Sequence, residues 1–179
     1  MKRNLAVACF VLLAFVGTSL SQEQAKTPKP GPEYESLKYF VGKWNFEFEM
    51  KQSTFGPAGK VEGTDRNEMM PGGFFLISHS KGKGTMGEIR GLSIFGYDAN
   101  EKVYTYYSVN NWGEHELAKG TVDGNTWTWN AESEMGGRDV KTRFTVNEVS
   151  PTFYTMKFDA SSDSTSWATV MEGKATKVK

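Results

Sequence analysis

The chain is poor in the residues that most often carry chemistry. Its 179 positions hold one cysteine, Cys9, and two histidines, His79 and His115. Cys9 falls in an N-terminal stretch that reads as a leader. A chain that loses this leader has no disulfide and no thiolate to act as nucleophile or ligand. A catalytic zinc usually takes three protein ligands, and the two histidines are separated in sequence with no i, i+2 or i, i+4 partner, so no metal is expected. Charge of either sign is not in excess, with 21 Lys and Arg against 21 Asp and Glu. No polybasic run stands out, which argues against nucleic acid or an anionic membrane surface as partner. Long apolar runs are also missing. Leu5 to Val16 is unbroken but holds twelve residues, whereas a spanning helix needs roughly 20.

That short run follows Lys2 and Arg3 and precedes the small-x-small site Ser19-Leu20-Ser21, the order of a secretory signal peptide. Residues 1–21 are therefore expected to be removed, leaving an exported protein, periplasmic or secreted, with no membrane insertion afterwards. Loss of Lys2 and Arg3 takes the formal charge to about −2. Residues 22–32 carry Pro28, Pro30 and Pro32 among polar neighbours and read as a flexible or extended linker. Residues 33–179 are of a size that suits one domain.

Within that domain the dominant pattern has a period of two. Glu33 to Val41 has room for one or two helical turns, with Leu37, Phe40 and Val41 on a face that would lie over a barrel end. From Trp44 onward, alternating segments are expected at Trp44–Met50, Lys60–Met70, Phe74–Ser80, Ile89–Tyr97, Val103–Val109, Glu116–Val122, Thr126–Glu132, Lys141–Val149, Phe153–Ala160 and Trp167–Thr176. Turn residues separate them, most clearly Asp123-Gly124-Asn125, where Gly and Asn accept positive φ. About ten short-looped strands in succession favour an all-β, closed antiparallel up-and-down barrel with a short N-terminal helix, because closure removes the edges.

Three motifs tempt a sharper reading and lack their context. Gly82-Lys83-Gly84-Thr85-Met86-Gly87 matches G-x-G-x-x-G, but a strand rather than a helix follows, so no helix N-terminus faces a pyrophosphate. Gly91-Leu92-Ser93-Ile94-Phe95 falls one residue short of a nucleophile elbow and lacks the strand-to-helix turn. Ser78, His79 and Ser80 are strand neighbours, so His79 faces away from both serines. No catalytic residue is assigned.

Aromatic side chains make up 13% of the chain and recur on single strand faces. Trp127 and Trp129 share one face, Tyr104 and Tyr106 another, Phe95 and Tyr97 a third. Buried Tyr and Trp bring a polar atom into an apolar wall, the combination found in small-molecule sites. The candidate ligand-binding set is therefore Phe46, Phe48, His79, Phe95, Tyr97, Tyr107, Trp127, Trp129 and Trp167. A dry pocket of about 300 Å³ would cost near 7 kcal/mol, so the barrel interior must be wet, liganded or filled by these rings.

Gly42-Lys43-Trp44 at the start of the first strand resembles the G-x-W signature of lipocalin-like barrels. With the amphipathic piece Leu37 to Trp44, Gly72-Gly73-Phe74-Phe75-Leu76 and the Gly96-Tyr97-Asp98 turn, the chain resembles the bacterial domain of unknown function 1579 family over Glu33 to Thr176. The resemblance implies a lipocalin-like barrel and transfers no chemistry. The segment Tyr106 to Trp112 departs from the family's strand ending in a Trp near an acid.

The leading expectation is an exported barrel that binds a small, largely apolar molecule, needs no cofactor and engages no nucleic acid. Alternatives are an enzyme at the barrel mouth using His79 or His115, a barrel holding haem through either histidine, and a protein-interaction module.

Overall fold

A computed structural model describes residues 28–53, 57–135 and 137–179; the side chains of 134, 135 and 138 are left aside. The expected leader, residues 1–21, and the linker through Thr27 lie outside the described residues. Pro32, expected to end the linker, instead opens a helix, α1 (Pro32–Ser36), which runs into a 3₁₀ turn, Leu37–Phe40. Proline suits this first helical position because its missing N–H would have had no partner there.

Ten strands follow: β1 (Gly42–Met50), β2 (Gly59–Met69), β3 (Leu76–Gly84), β4 (Gly87–Asp98), β5 (Val103–Asn110), β6 (His115–Asp123), β7 (Thr126–Met135), β8 (Arg138–Ser150), β9 (Phe153–Ser161) and β10 (Ala168–Lys177). Each pairs antiparallel with its sequence neighbours, and β1 also pairs with β10 from Trp44↔Lys177 to Met50↔Met171. The sheet is a closed up-and-down barrel, as the alternation predicts. The largest boundary difference is β3, which runs four residues past the expected Ser80. Lys-Gly-Lys-Gly has little intrinsic strand preference, but register with β2 and β4 on both sides holds it extended. The Gly-rich motif is thus the arm and tip of the β3–β4 hairpin, with Gly87 at φ +109°, and no helix follows it.

The turns after β2, β4, β6 and β8 gather at one end, where α1 and the 3₁₀ turn form a plug. Leu37 is fully buried, and Phe40 packs edge-on to Trp127 and Tyr154 with ring centroids 5.2 and 5.9 Å apart. Tyrosine hydroxyls pin the plug to the barrel rim. Tyr39 donates to the carbonyls of Ser150 (2.9 Å) and Phe153 (3.1 Å), and Tyr34 donates to that of Tyr97 (3.0 Å). The described residues of the connections after β1, β3, β5, β7 and β9 surround the opposite end, which none of the described residues closes.

Truncating Leu37 to alanine removes the plug's fully buried aliphatic side chain, and a loss of about 2–5 kcal/mol is expected. Lys38→Ala, on the exposed side of the same turn, should change stability by less than about 0.5 kcal/mol. Urea unfolding of both variants checks this; equal values would mean that the plug is not part of the cooperative fold.

Candidate ligand-binding lumen

The open end leads into a chamber of about 460 Å³ that reaches down to Phe40 of the plug. Its two walls differ in chemistry. On one side β1 and β8 to β10 contribute Phe46, Phe48, Phe144, Val146, Met156, Phe158, Val170 and Met171. Phe46 and Phe48 stack with centroids 4.8 Å apart and planes within 7°. Glycine makes that stack fit: a Cβ on Gly63 would stand 2.5 Å from Phe46 Cζ, and one on Gly82, the cross-strand partner of Gly63, 3.0 Å from the same atom.

The facing wall, on β2 to β5, carries the polar residues of the lining among apolar ones such as Val61, Leu76, Ile89 and Phe95. Strand register sets Asn67, Ser78, Ser93 and Ser108 side by side on four successive strands, and Glu116 of β6 continues the row. One step nearer the mouth, Asp65 lies opposite Ser80, whose hydroxyl donates to Asp65 Oδ1 at 2.6 Å. Tyr106 and Ser93 hydroxyls lie 3.5 Å apart beneath the Phe95 ring. Glu116 accepts from Thr142 (3.0 Å) and Ser133 (3.4 Å).

None of the described residues lining the chamber is Lys, Arg or His. Removal from water therefore dominates Asp65 on its wall and Glu116 at the end of the polar row. Burial pushes the Asp65 carboxyl up to about 6 from 3.8, against the lowering effect of the Ser80 hydrogen bond. Burial likewise raises Glu116, outweighing its two hydroxyl donors. It raises the phenols of Tyr106 and Tyr154, and the negative charge of Asp65 adds to both shifts. Two buried polar atoms find no partner among the described residues: Asn67 Oδ1 and Trp129 Nε1, both on residues that line the chamber.

Of the nine residues singled out in the sequence, Phe46, Phe48, Phe95 and Trp129 line the chamber. Trp127 and Tyr97 also point inward but are taken up by packing at the plug. Trp127 stacks on Trp129, meets Phe40 and donates to Glu148 Oε1 at 2.6 Å, while Tyr97 packs edge-on to Tyr34. The other three face outside, which corrects their expected place in the interior. His79 is exposed between the inward Ser78 and Ser80. Tyr107 lies on the outer wall because Tyr104 and Tyr106 take the inner face of the same strand. Trp167 precedes β10 and packs beneath the Arg143 guanidinium, 4.3 Å from its ring centroid. His115 is exposed as well, so neither histidine reaches the chamber for acid–base work or for a haem iron.

The residues missed are the small polar ones. Ser78, Ser80, Gly82 and Gly84 alternate with Ile77, His79, Lys81 and Lys83 along β3. Two lysines on one face mark that face as outward, and this places the serines inside and His79 outside.

The sequence matches the family described as Protein of unknown function (DUF1579) over residues 29–177. The chain belongs to this family. A comparison with curated proteins finds no match. Among solved structures, the S-type phycobiliprotein lyase CPES from Guillardia theta is similar in fold, with a TM-score of 0.60 at 9% identity, covering 81% of this chain and 92% of that one. Rv2717c from M. tuberculosis gives 0.59 at 8% identity, covering 83% and 99%. At such identities the likeness concerns the barrel alone.

A carboxyl whose folded pKa is raised stabilises the fold fully below its unfolded pKa and ceases to do so as pH rises through its folded pKa. For Asp65 that window runs from 3.8 to about 6. Relative to Asp65→Asn, the native protein should lose about 2–3 kcal/mol between pH 4 and pH 7. Urea unfolding of both proteins across this range tests the point, since the difference cancels the titration of other groups. A difference that stays flat with pH would show Asp65 to be an ordinary solvated carboxylate.

Proposed function

We propose that this protein is an exported carrier or sensor that takes a small, largely apolar molecule into the barrel lumen. The observation that carries this reading is the chamber itself. Its volume of about 460 Å³ lies within the range of about 300–1,000 Å³ of small-molecule pockets. Left dry, a void of that size at about 24 cal/mol per Å³ would cost roughly 11 kcal/mol, comparable with the whole stability of a domain. A chain selected for stability alone would fill it. Here Gly84, Gly91 and four serines, Ser78, Ser80, Ser93 and Ser108, keep side chains small along the lining of β3 to β5. Export is part of the proposal and is supported by the leader pattern of residues 1–21.

The proposal is tested with N-phenyl-1-naphthylamine, an uncharged aromatic probe that brightens on leaving water. Saturable binding is expected, together with quenching of tryptophan emission as the probe nears Trp129. Ser108→Phe, which fills the chamber, should abolish binding, whereas Leu117→Ser on the outer wall should leave it intact. Binding that survives Ser108→Phe and disappears with Leu117→Ser would overturn the reading.

A further inference from the structure

We propose that the lumen selects ligands bearing a cationic, hydrogen-bond-donating nitrogen, seated against Asp65 and Asn67, with an apolar body lying on Phe46, Phe48 and Phe95. The inference rests on the lumen being a ligand site and names the chemical class of what it takes.

The first argument is charge balance. Asp65 points into the chamber, Glu116 lies on the same polar row, and no described lining residue supplies a positive charge. A buried carboxylate without a cation is costly, and it is normally relieved by pairing or by protonation. The groups around Asp65 are Ser80 beside it on β3, Tyr106 from β5 and Tyr154 from β9. Glu116 from β6 adds a second acid, and Tyr39 of the plug stands behind Tyr154. Every titratable group in this set is an acid. An entering cation meets no like charge, whereas an anion meets the Asp65 carboxyl and finds only neutral donors, such as the serine hydroxyls and Trp129 Nε1, to offset it.

The second argument is an independent count of donors and acceptors. Asn67 is 8% exposed; its amide nitrogen donates to the Phe40 carbonyl at 2.8 Å, which turns Oδ1 away as an acceptor with no partner among the described residues. Asp65 and Asn67 are two apart on one strand and so lie on the same face, about 7 Å from each other. An ammonium brings three donors and a guanidinium five, so one donor can meet Asp65 while another is left for the Asn67 amide deeper on the same face. A neutral hydrocarbon satisfies neither. Ser80 holds one Asp65 oxygen, and the carboxylate has acceptor sites beyond that bond.

The test uses three naphthalenes of matched size, 1-naphthylmethylammonium, 1-naphthylmethanol and 1-naphthoate, titrated calorimetrically into the full-length protein at pH 7.5. The cation is expected to bind about 10- to 100-fold more tightly than the alcohol, the range of a charge-assisted hydrogen bond, with the anion weakest. In Asp65→Asn, checked for folding by circular dichroism, the ratio of cation to alcohol should fall close to one. In the native protein, where folding of a variant is not at issue, the same ratio should shrink as pH is lowered from 7.5 to 5, while the ammonium stays charged. Equal binding of cation and alcohol, or a ratio indifferent to Asp65→Asn and to pH, overturns the inference and leaves the lumen as a site for uncharged molecules. Failure of all three probes and of N-phenyl-1-naphthylamine overturns lumen binding and this inference together.

Discussion

One carbonyl, that of Phe40, joins the parts of the molecule that matter here. It stands at the end of a short helical segment, where carbonyls lose their intrahelical partners. Two side chains meet it: Trp44 Nε1 from β1 and Asn67 Nδ2 from β2, both donating at 2.8 Å. The first bond is the physical content of the G-x-W signature. Gly42, at φ +117°, turns the chain sharply out of the plug, and the fully buried Trp44 folds back to the residue four before it. The second bond reaches across to the neighbouring strand and fixes the orientation of an amide that lines the chamber. Plug position, closure of one barrel end and the aim of Asn67 Oδ1 therefore share one acceptor.

The aromatic residues divide according to that plug. Phe40, Trp44, Trp127 and Tyr154 pack with one another there, with centroid distances of 5.0 to 5.9 Å, and supply the dense core of the closed end. Phe95 and Trp129 sit one layer higher, in contact with this core on one side and the chamber on the other. Phe46 and Phe48 form the apolar wall above. A gradient from packed core to open lumen thus runs along the barrel axis, and packing at the closed end positions the rings that line the chamber.

Period-two alternation and turn residues were enough to specify ten strands, an up-and-down path and a plug over one end, because those features are local. Facing was harder to read, and the residues show why. On β1 and β7 the large apolar side chains point inward, so choosing Phe46, Phe48, Trp127 and Trp129 as interior was sound. On β3 to β6 that rule fails at one row, although Leu76, Phe95, Tyr104 and Tyr106 still point inward. There Ser78, Ser93 and Ser108 with Glu116 occupy the inner row. Ile77, Ile94, Tyr107 and Leu117 form the matching row outside, with Leu117 68% exposed. Tyr107 was misplaced by assuming that bulk goes inside. Asp65 and Asn67 are polar themselves, so only the charges on the opposite face of β2, at Lys60, Glu62, Arg66 and Glu68, and the shared face with Val61 and Met69 mark them as inward. Pairing with β1 and β3 agrees with that face.

That inverted row is itself informative about function. Burying hydroxyls and acids costs free energy unless each finds a partner, and exposing isoleucine and leucine forgoes burial worth about 1.5–3 kcal/mol per side chain. A barrel shaped by folding stability alone would place these rows the other way round, and shifting β3 to β6 by one residue would do so at no topological cost. The sequence resists that shift through Tyr104 and Tyr106, whose rings pack inward against Trp127 and Phe95, and through Lys81 and Lys83, which cannot enter the lumen uncompensated. Half of the barrel is thus held in a register that costs stability locally, by anchors in the other half and at the plug. Part of the compensation for such a polar inner face is internal, in the Ser80–Asp65 bond and the Thr142 and Ser133 bonds to Glu116, and under the proposed function a ligand with complementary donors supplies the rest.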